Sequence, residues 1–276
     1  MNQLLCSTGA LITSRNGRNY RLLKELSGML DCDGFEFLMY SSWYDDWERV
    51  AEEVAGLELS FPVFHVEKRV GTAISRNEAG DREEAARLFE INCGFAERIG
   101  AKKLVFHLWD GEPSDRDIRN NIQQYISLNQ TAKQHGLLLT IENVVCNREN
   151  PLKHLSELHE ADSEAAFTFD VRFAKFHEEL ERACTEDYRW LWDGAIRHIH
   201  IGDYAGGYMD WSKLGCLHPG EGVIDFETFF AHLKRVGYQG SVTLESTSVK
   251  EDGSIDMERL GRSLGRLRGW LKGQVL

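Results

Sequence analysis

Eight short apolar runs, helical patterns between them and a length of 276 residues predict a single (β/α)₈ TIM barrel over residues 1–276. The runs fall at 4–6, 34–38, 59–66, 103–107, 137–141, 165–169, 196–201 and 241–244. Between them, Ala85, Leu88, Phe89, Phe95, Ala96 and Ile99 recur at helical spacing and stop at Gly100. A further helix follows Ser114-Asp115 and ends at His135-Gly136. Asp225 opens one carrying Phe229, Phe230, Leu233 and Val236, closed by Gly237, and the last runs from Asp256 through Leu260, Leu264, Leu267 and Leu271. Strand–helix alternation argues a parallel sheet, because parallel neighbours need a crossover. No G-x-G-x-x-G or Walker A loop follows an early strand, which disfavours an open dinucleotide or nucleotide fold.

Composition narrows the function classes. A net charge of −12 disfavours nucleic acid, where affinity rests on neutralising phosphates, and polybasic docking to membranes. No apolar run approaches the ~20 residues that span a bilayer. The opening Met1-Asn2-Gln3-Leu4-Leu5-Cys6 lacks a basic segment followed by a long apolar one, so a cytoplasmic protein is expected. The six cysteines are scattered without a C-x-x-C pair and read as reduced thiols.

The last four strand ends repeat one pattern. Thr140-Ile141-Glu142, Thr168-Phe169-Asp170, His198-Ile199-His200 and Thr243-Leu244-Glu245 each place a polar residue two after another, with a large apolar residue between. Side chains alternate along a strand, so the apolar set suits the helix side and the polar set points into the barrel. Glu142, Asp170, His200 and Glu245 then converge at the C-terminal mouth, where barrel enzymes hold their chemistry. Each taken alone has a plainer reading: a solvated carboxylate, a helix cap, a satisfied core histidine. Together, three carboxylates and an imidazole on adjacent strands repel one another unless a cation sits among them. One divalent metal ion is expected. The oxygen-rich set puts Mn²⁺ first, with Co²⁺, Mg²⁺ and Zn²⁺ behind it.

These strand ends resemble the sugar phosphate isomerase/epimerase family, the xylose isomerase-like TIM barrels, over essentially the whole chain. The resemblance rests on Gly34-Phe35-Glu36-Phe37, Thr140-Ile141-Glu142-Asn143 and the stretch Arg197 to Asp203. Its most specific parts are the G-E-G-x-I-D-F run from Gly220 to Phe226 and the G-Y-x-G-x-x-x-x-E run from Gly237 to Glu245. It implies that Glu142, Asp170, His200 and Glu245 hold the metal. It also implies that Glu142 and Glu245 form an acid/base pair on opposite faces of a ketose or related polyol or keto compound. One would remove a proton beside the carbonyl, and the other would return it through an enediolate. The expected partner is a small carbohydrate, and the resemblance implies a possible homodimer. His65 and His107, near the ends of strands three and four, are substrate-binding candidates that could equally hydrogen-bond within the mouth. Trp43, Tyr44 and Trp109 are candidates to stack on a sugar face, and His218 is expected to shape a loop.

Two positions depart from the family pattern. Phe173 stands where many members have a histidine, and the loop after strand seven offers Lys213 where ketose epimerases usually carry an arginine. Two other reactions fit the same barrel: a single-metal dehydratase or lyase, and a three-zinc hydrolase related to endonuclease IV. His65, His107, Glu142, Asp170, His200 and Glu245 match positions of the three-zinc site, but Phe173, Leu214 and Cys216 stand in place of its other ligands. A non-enzymatic binding protein is a third class, disfavoured because all four metal-ligand candidates are present.

Overall fold

The computed structural model describes residues 2–274. Its strands are β1 Leu4–Ser7, β2 Gly34–Leu38, β3 Val63–His65, β4 Lys103–Phe106, β5 Leu138–Glu142, β6 Ala166–Asp170, β7 Ile196–Ile201 and β8 Ser241–Leu244. They follow one another in chain order around a closed barrel. The helices are α1 Leu22–Ser27, α2 Trp47–Ala55, α3 Arg69–Arg76, α4 Asp81–Arg98, α5 Ile118–Gln134, α6 Pro151–Ala161, α7 Val171–Phe176, α8 Leu180–Ala183, α9 Phe226–Val236 and α10 Met257–Leu271. None among the described residues is long and apolar enough to cross a membrane.

Two boundaries differ from expectation, each for a local reason. The run at 59–66 yields only Val63–His65 as strand, because Pro62 has no N–H to give to a ladder. Helix α5 opens at Ile118, two residues beyond the Arg116 that follows Ser114-Asp115. Asp117 caps it by accepting from the Asn120 amide, while Asp115 is engaged by the amides of Asn147, Arg148 and Glu149. The other ends obey their caps. Asp225 accepts from the Thr228 amide at the start of α9, and Gly237 closes that helix at φ 69°, a conformation a Cβ would penalise.

The chain divides into two compact units, residues 2–36 with 169–274, and residues 37–168. In the first, Leu5 of β1 lies level with Gly34 of β2 and Thr243 of β8. Strand β7 pairs with β8, setting His198 opposite Ser241 and His200 opposite Thr243. Phe169, between Thr168 and Asp170, turns to the helix side, its ring 5.4 Å from Trp192 and 6.4 Å from Phe229 of α9. That leaves the polar residues of β6 on the other face, as the alternation requires.

In the second unit, β3 to β6 form a continuous parallel ladder. Phe37 packs its ring 5.1–5.9 Å from those of Phe61, Phe64, Phe95 and Trp43. Burial of each such ring contributes roughly 1.5–3 kcal/mol. Inside, the Thr140 and Thr168 hydroxyls share a hydrogen bond at 2.7 Å, and Thr140 also donates to the Leu104 carbonyl at 2.6 Å. Helix α3 is pressed against the end of β4, where a Cβ on Gly71 would lie 2.0 Å from the His107 carbonyl oxygen. On the rim, His135 spans Glu97 at 2.7 Å and Glu90 at 2.9 Å. Burial works to lower its pKa, but these two carboxylates outweigh it and hold the ring above its ordinary value.

Gly71→Ala is expected to cost about 1–3 kcal/mol through overpacking against backbone that cannot yield; urea unfolding measures it, and an unchanged midpoint would show that the helix shifts freely. The His135 clasp stabilises fully below the unfolded value of about 6.5 and is lost as pH rises through the higher folded value. The stability gap between wild type and His135→Gln should therefore be widest in mild acid and close in alkali.

Candidate metal centre

Residues 2–36 with 169–274 carry one group of candidate residues, built around a carboxylate in the barrel wall. Glu36 on β2 is fully buried between the two histidines of β7. Its carboxylate lies 2.7 Å from His198 Nε2 and 3.0–3.1 Å from His200 Nε2. Burial works to raise its pKa, yet the His200 and His198 rings reverse the effect and hold it well below the ordinary range. The contacts assign the ring protons. An ionised carboxylate only accepts, so both Nε2 atoms donate to Glu36. His198 Nδ1 then accepts from the Ser241 hydroxyl at 2.7 Å. His200 Nδ1 lies 3.3 Å from Glu245 Oε1.

Asp170 joins them from the end of β6. Its Oδ1 caps α7 by accepting from the Phe173 amide at 2.9 Å, and its Oδ2 faces Arg172 Nη2 at 3.5 Å. Asp170, His200 and Glu245 offer ligand atoms within 4.8 Å of one another. Arg172 also lies 3.9 Å from Glu245 Oε2. Its guanidinium is positioned by donating to the Leu214 carbonyl at 2.9 Å and by resting 4.1 Å over the Phe173 ring.

Residues 37–168 carry a separate group. Glu142 Oε2, at the end of β5, lies 2.7 Å from His107 Nε2 and 3.5 Å from His65 Nε2. His107 reaches Asp110 through Nδ1 at 2.5 Å. Burial works to lower the His107 pKa, but Glu142 and Asp110 on its two sides push it up to about 9, so the ring is an imidazolium donating both ways. His65 gives its Nδ1 proton to the Val66 carbonyl at 3.0 Å. These three residues also offer ligand atoms within 4.8 Å of one another.

All six strand-end residues expected at the mouth thus fall into two tight groups: Asp170, His200 and Glu245, and His65, His107 and Glu142. Three side chains of these groups went unforeseen. Glu36 is an acid inside an apolar run between Phe35 and Phe37, a placement that by itself asks for a buried partner. Arg172 and Asp110 lie just past strand ends, in turns whose path the sequence does not specify. The aromatic expectation is corrected: Trp43, Tyr44 and Trp109 are all buried. Trp109 donates to the Val144 carbonyl, Tyr44 accepts from Asn92 and Trp43 packs on Phe37 and Tyr40, so these rings fill the wall. Lys213 pairs with Asp210 at 3.2 Å, and the cation that faces Asp170 and Glu245 is Arg172. His218 shapes its loop as expected, bonding Ser263 and the Thr247 carbonyl.

Residues 25–270 match the sequence model of the family described as xylose isomerase-like TIM barrel. The chain belongs to that family. Among curated relatives, it is 37% identical to a ketose 3-epimerase of Arthrobacter globiformis over 83 residues, which is 30% of this chain and 24% of that protein. It is 26% identical to an L-ribulose 3-epimerase of Methylomonas sp. (strain DH-1) over 161 residues, 56% of this chain and 51% of that one. The matches therefore span about half or less of those relatives. A solved structure described as the IOLI protein with a binding zinc atom superposes with a TM-score of 0.75 over 99% of both chains at 15% identity. That likeness is one of fold.

Glu36→Ala would strand two buried imidazoles and is expected to cost about 3–5 kcal/mol, as removal of one partner from a buried charged pair does. Glu36→Gln, which keeps the shape and one acceptor oxygen, should cost less. Chemical unfolding separates the two, and an alanine variant as stable as wild type would mean the Glu36 contacts carry no weight.

Proposed function

We propose that this chain is a divalent-metal-dependent sugar isomerase or epimerase, acting on a ketose or a related polyol or keto compound by proton transfer beside its carbonyl. The observation that carries the reading is the pairing of His200 Nδ1 with the Glu245 carboxylate, beside Asp170. Nε2 gives its proton to Glu36, so Nδ1 is the nitrogen that would meet an ion beside the two carboxylates, and a histidine backed by a carboxylate is the usual support of a metal ligand. Asp170, His200 and Glu245 would hold the ion together with Glu142. The last comes from β5, where it pairs level with Thr168, two residues before Asp170 on β6. The hard oxygen-rich set favours Mn²⁺, with Co²⁺, Mg²⁺ and Zn²⁺ as alternatives. When bound, the ion supplies Lewis-acid polarisation of the substrate carbonyl and neutralises negative charge on its oxygen.

The chain's own residues move the proton. Glu142 and Glu245 act as the acid/base pair, one withdrawing the proton beside the carbonyl and the other returning it to the enediolate from the opposite side. His107 and His65 hold the Glu142 carboxylate, and their ring edges are the proposed contacts for substrate hydroxyls. Arg172, held against Phe173 and the Leu214 carbonyl, presents a preorganised charge for a substrate oxygen. The curated relatives named as 3-epimerases of ketoses support this class of chemistry over the dehydratase and lyase alternatives.

One observation favours a second reading. His65, His107 and Glu142 form a three-donor group of their own, which is what a multi-metal hydrolase would need. The apolar Phe173 and Leu214 stand against it.

Incubation of the manganese-loaded protein with a panel of ketoses in D₂O should give deuterium at the carbon beside the carbonyl. Chelator should abolish exchange and Mn²⁺ restore it. Glu142→Gln and Glu245→Gln, folded by circular dichroism, should each lose roughly 10²–10⁴-fold in exchange rate. No exchange with any ketose while metal is bound would sink the reading in favour of a lyase or hydrolase.

A further inference from the structure

A second cluster of donors lies within residues 37–168, away from the strand ends. Asp115 in the turn before α5, Cys146 in the loop after β5 and His154 in the opening turn of α6 are 4%, 0% and 1% exposed. Each offers a ligand atom, and these lie within 4.8 Å of one another. His154 Nδ1 stands 2.8 Å from Glu157 Oε2, and its Nε2 stands 3.0 Å from Asp115 Oδ2. His154 is thus held between two carboxylates, Glu157 at one ring nitrogen and Asp115 at the other. A divalent ion would replace the proton between Nε2 and Asp115, joining two ligand atoms that already face each other. Cys146 brings a third, soft donor to the same place, its thiol now donating to the Val144 carbonyl at 3.5 Å, a proton that a metal ion displaces.

The surroundings fit a ligand set. Asp115 also accepts from the amides of Asn147, Arg148 and Glu149 at 2.8–3.3 Å, the outer hydrogen bonding that ligating carboxylates carry. Burial works against its charge, but His154 and these amides keep its carboxyl below the ordinary range. The Glu157 side chain is 35% exposed, which gives an ion a way in at the edge of an otherwise buried cluster.

We propose that Asp115, Cys146 and His154 form a separate site for a thiophilic divalent metal, zinc first, with Glu157 orienting the histidine. The ion ties the loop after β4, which carries Asp110, to the loop after β5, and its role is structural.

Cobalt distinguishes this site from the mouth. Glu142, Asp170, His200 and Glu245 contain no sulfur, so a thiolate-to-cobalt charge-transfer band reports the second site alone. Metal-stripped protein titrated with Co²⁺ should develop that band, and Zn²⁺ should bleach it. Cys146→Ser and His154→Gln should lose the band, and the rise in Tm that Zn²⁺ gives the wild type should disappear in Cys146→Ser. Absence of the band in the wild type overturns the site, and that result does not depend on any variant folding. A band that persists in folded Cys146→Ser overturns it as well. Failure of ketose exchange would leave the band untouched, so this inference and the proposed activity fail separately.

Discussion

A carboxylate withdrawn from water into a protein interior costs several kcal/mol unless its oxygens are well met. Glu36 is such a carboxylate, fully buried, and it survives there because two imidazoles of β7 donate to it. The group of Asp170, His200 and Glu245 depends on that exchange. By taking the Nε2 protons, Glu36 fixes the orientation of both rings. His198 thereby turns Nδ1 to the Ser241 hydroxyl and supports the wall, while His200 turns its Nδ1 toward Glu245. A histidine is a ligand or a filler according to which nitrogen carries its proton, and here that choice is made by a residue on another strand.

The group of His65, His107 and Glu142 solves the same problem with the opposite sign. His107 lies between Asp110 and Glu142, two carboxylates around one buried ring, where Glu36 is one buried carboxylate between two rings. The close approach of α3, permitted by the missing Cβ of Gly71, holds the His107 backbone against that helix. Both groups place charge at strand ends and apolar bulk behind it, which is the division of labour that lets one barrel carry many reactions. Membership of the family accounts for the scaffold. The turn after β6 adds Arg172 and Phe173, whose stacking sets a guanidinium beside two candidate ligands.

The architecture was legible in the chain, as was the gathering of polar residues at strand ends. Period-two alternation in β5 to β8 was enough to sort Thr140, Thr168 and Thr243 from Ile141, Phe169 and Leu244, because a strand has only two faces. The caps at Asp225, Gly237 and Asp256 were legible because they act within a few residues of themselves. Contacts between distant segments were not legible in the same way. Glu36 and His200 are 164 positions apart, and no spacing rule links them. Arg172 took a place the sequence offered to Lys213, because the turn after β6 and the Leu214 carbonyl steer it there. Trp43, Tyr44 and Trp109 went into the wall because packing, which a residue type cannot foretell, found partners for their polar atoms. Local periodicity writes faces and ends into a sequence; the partners across those faces are set only when the chain closes on itself.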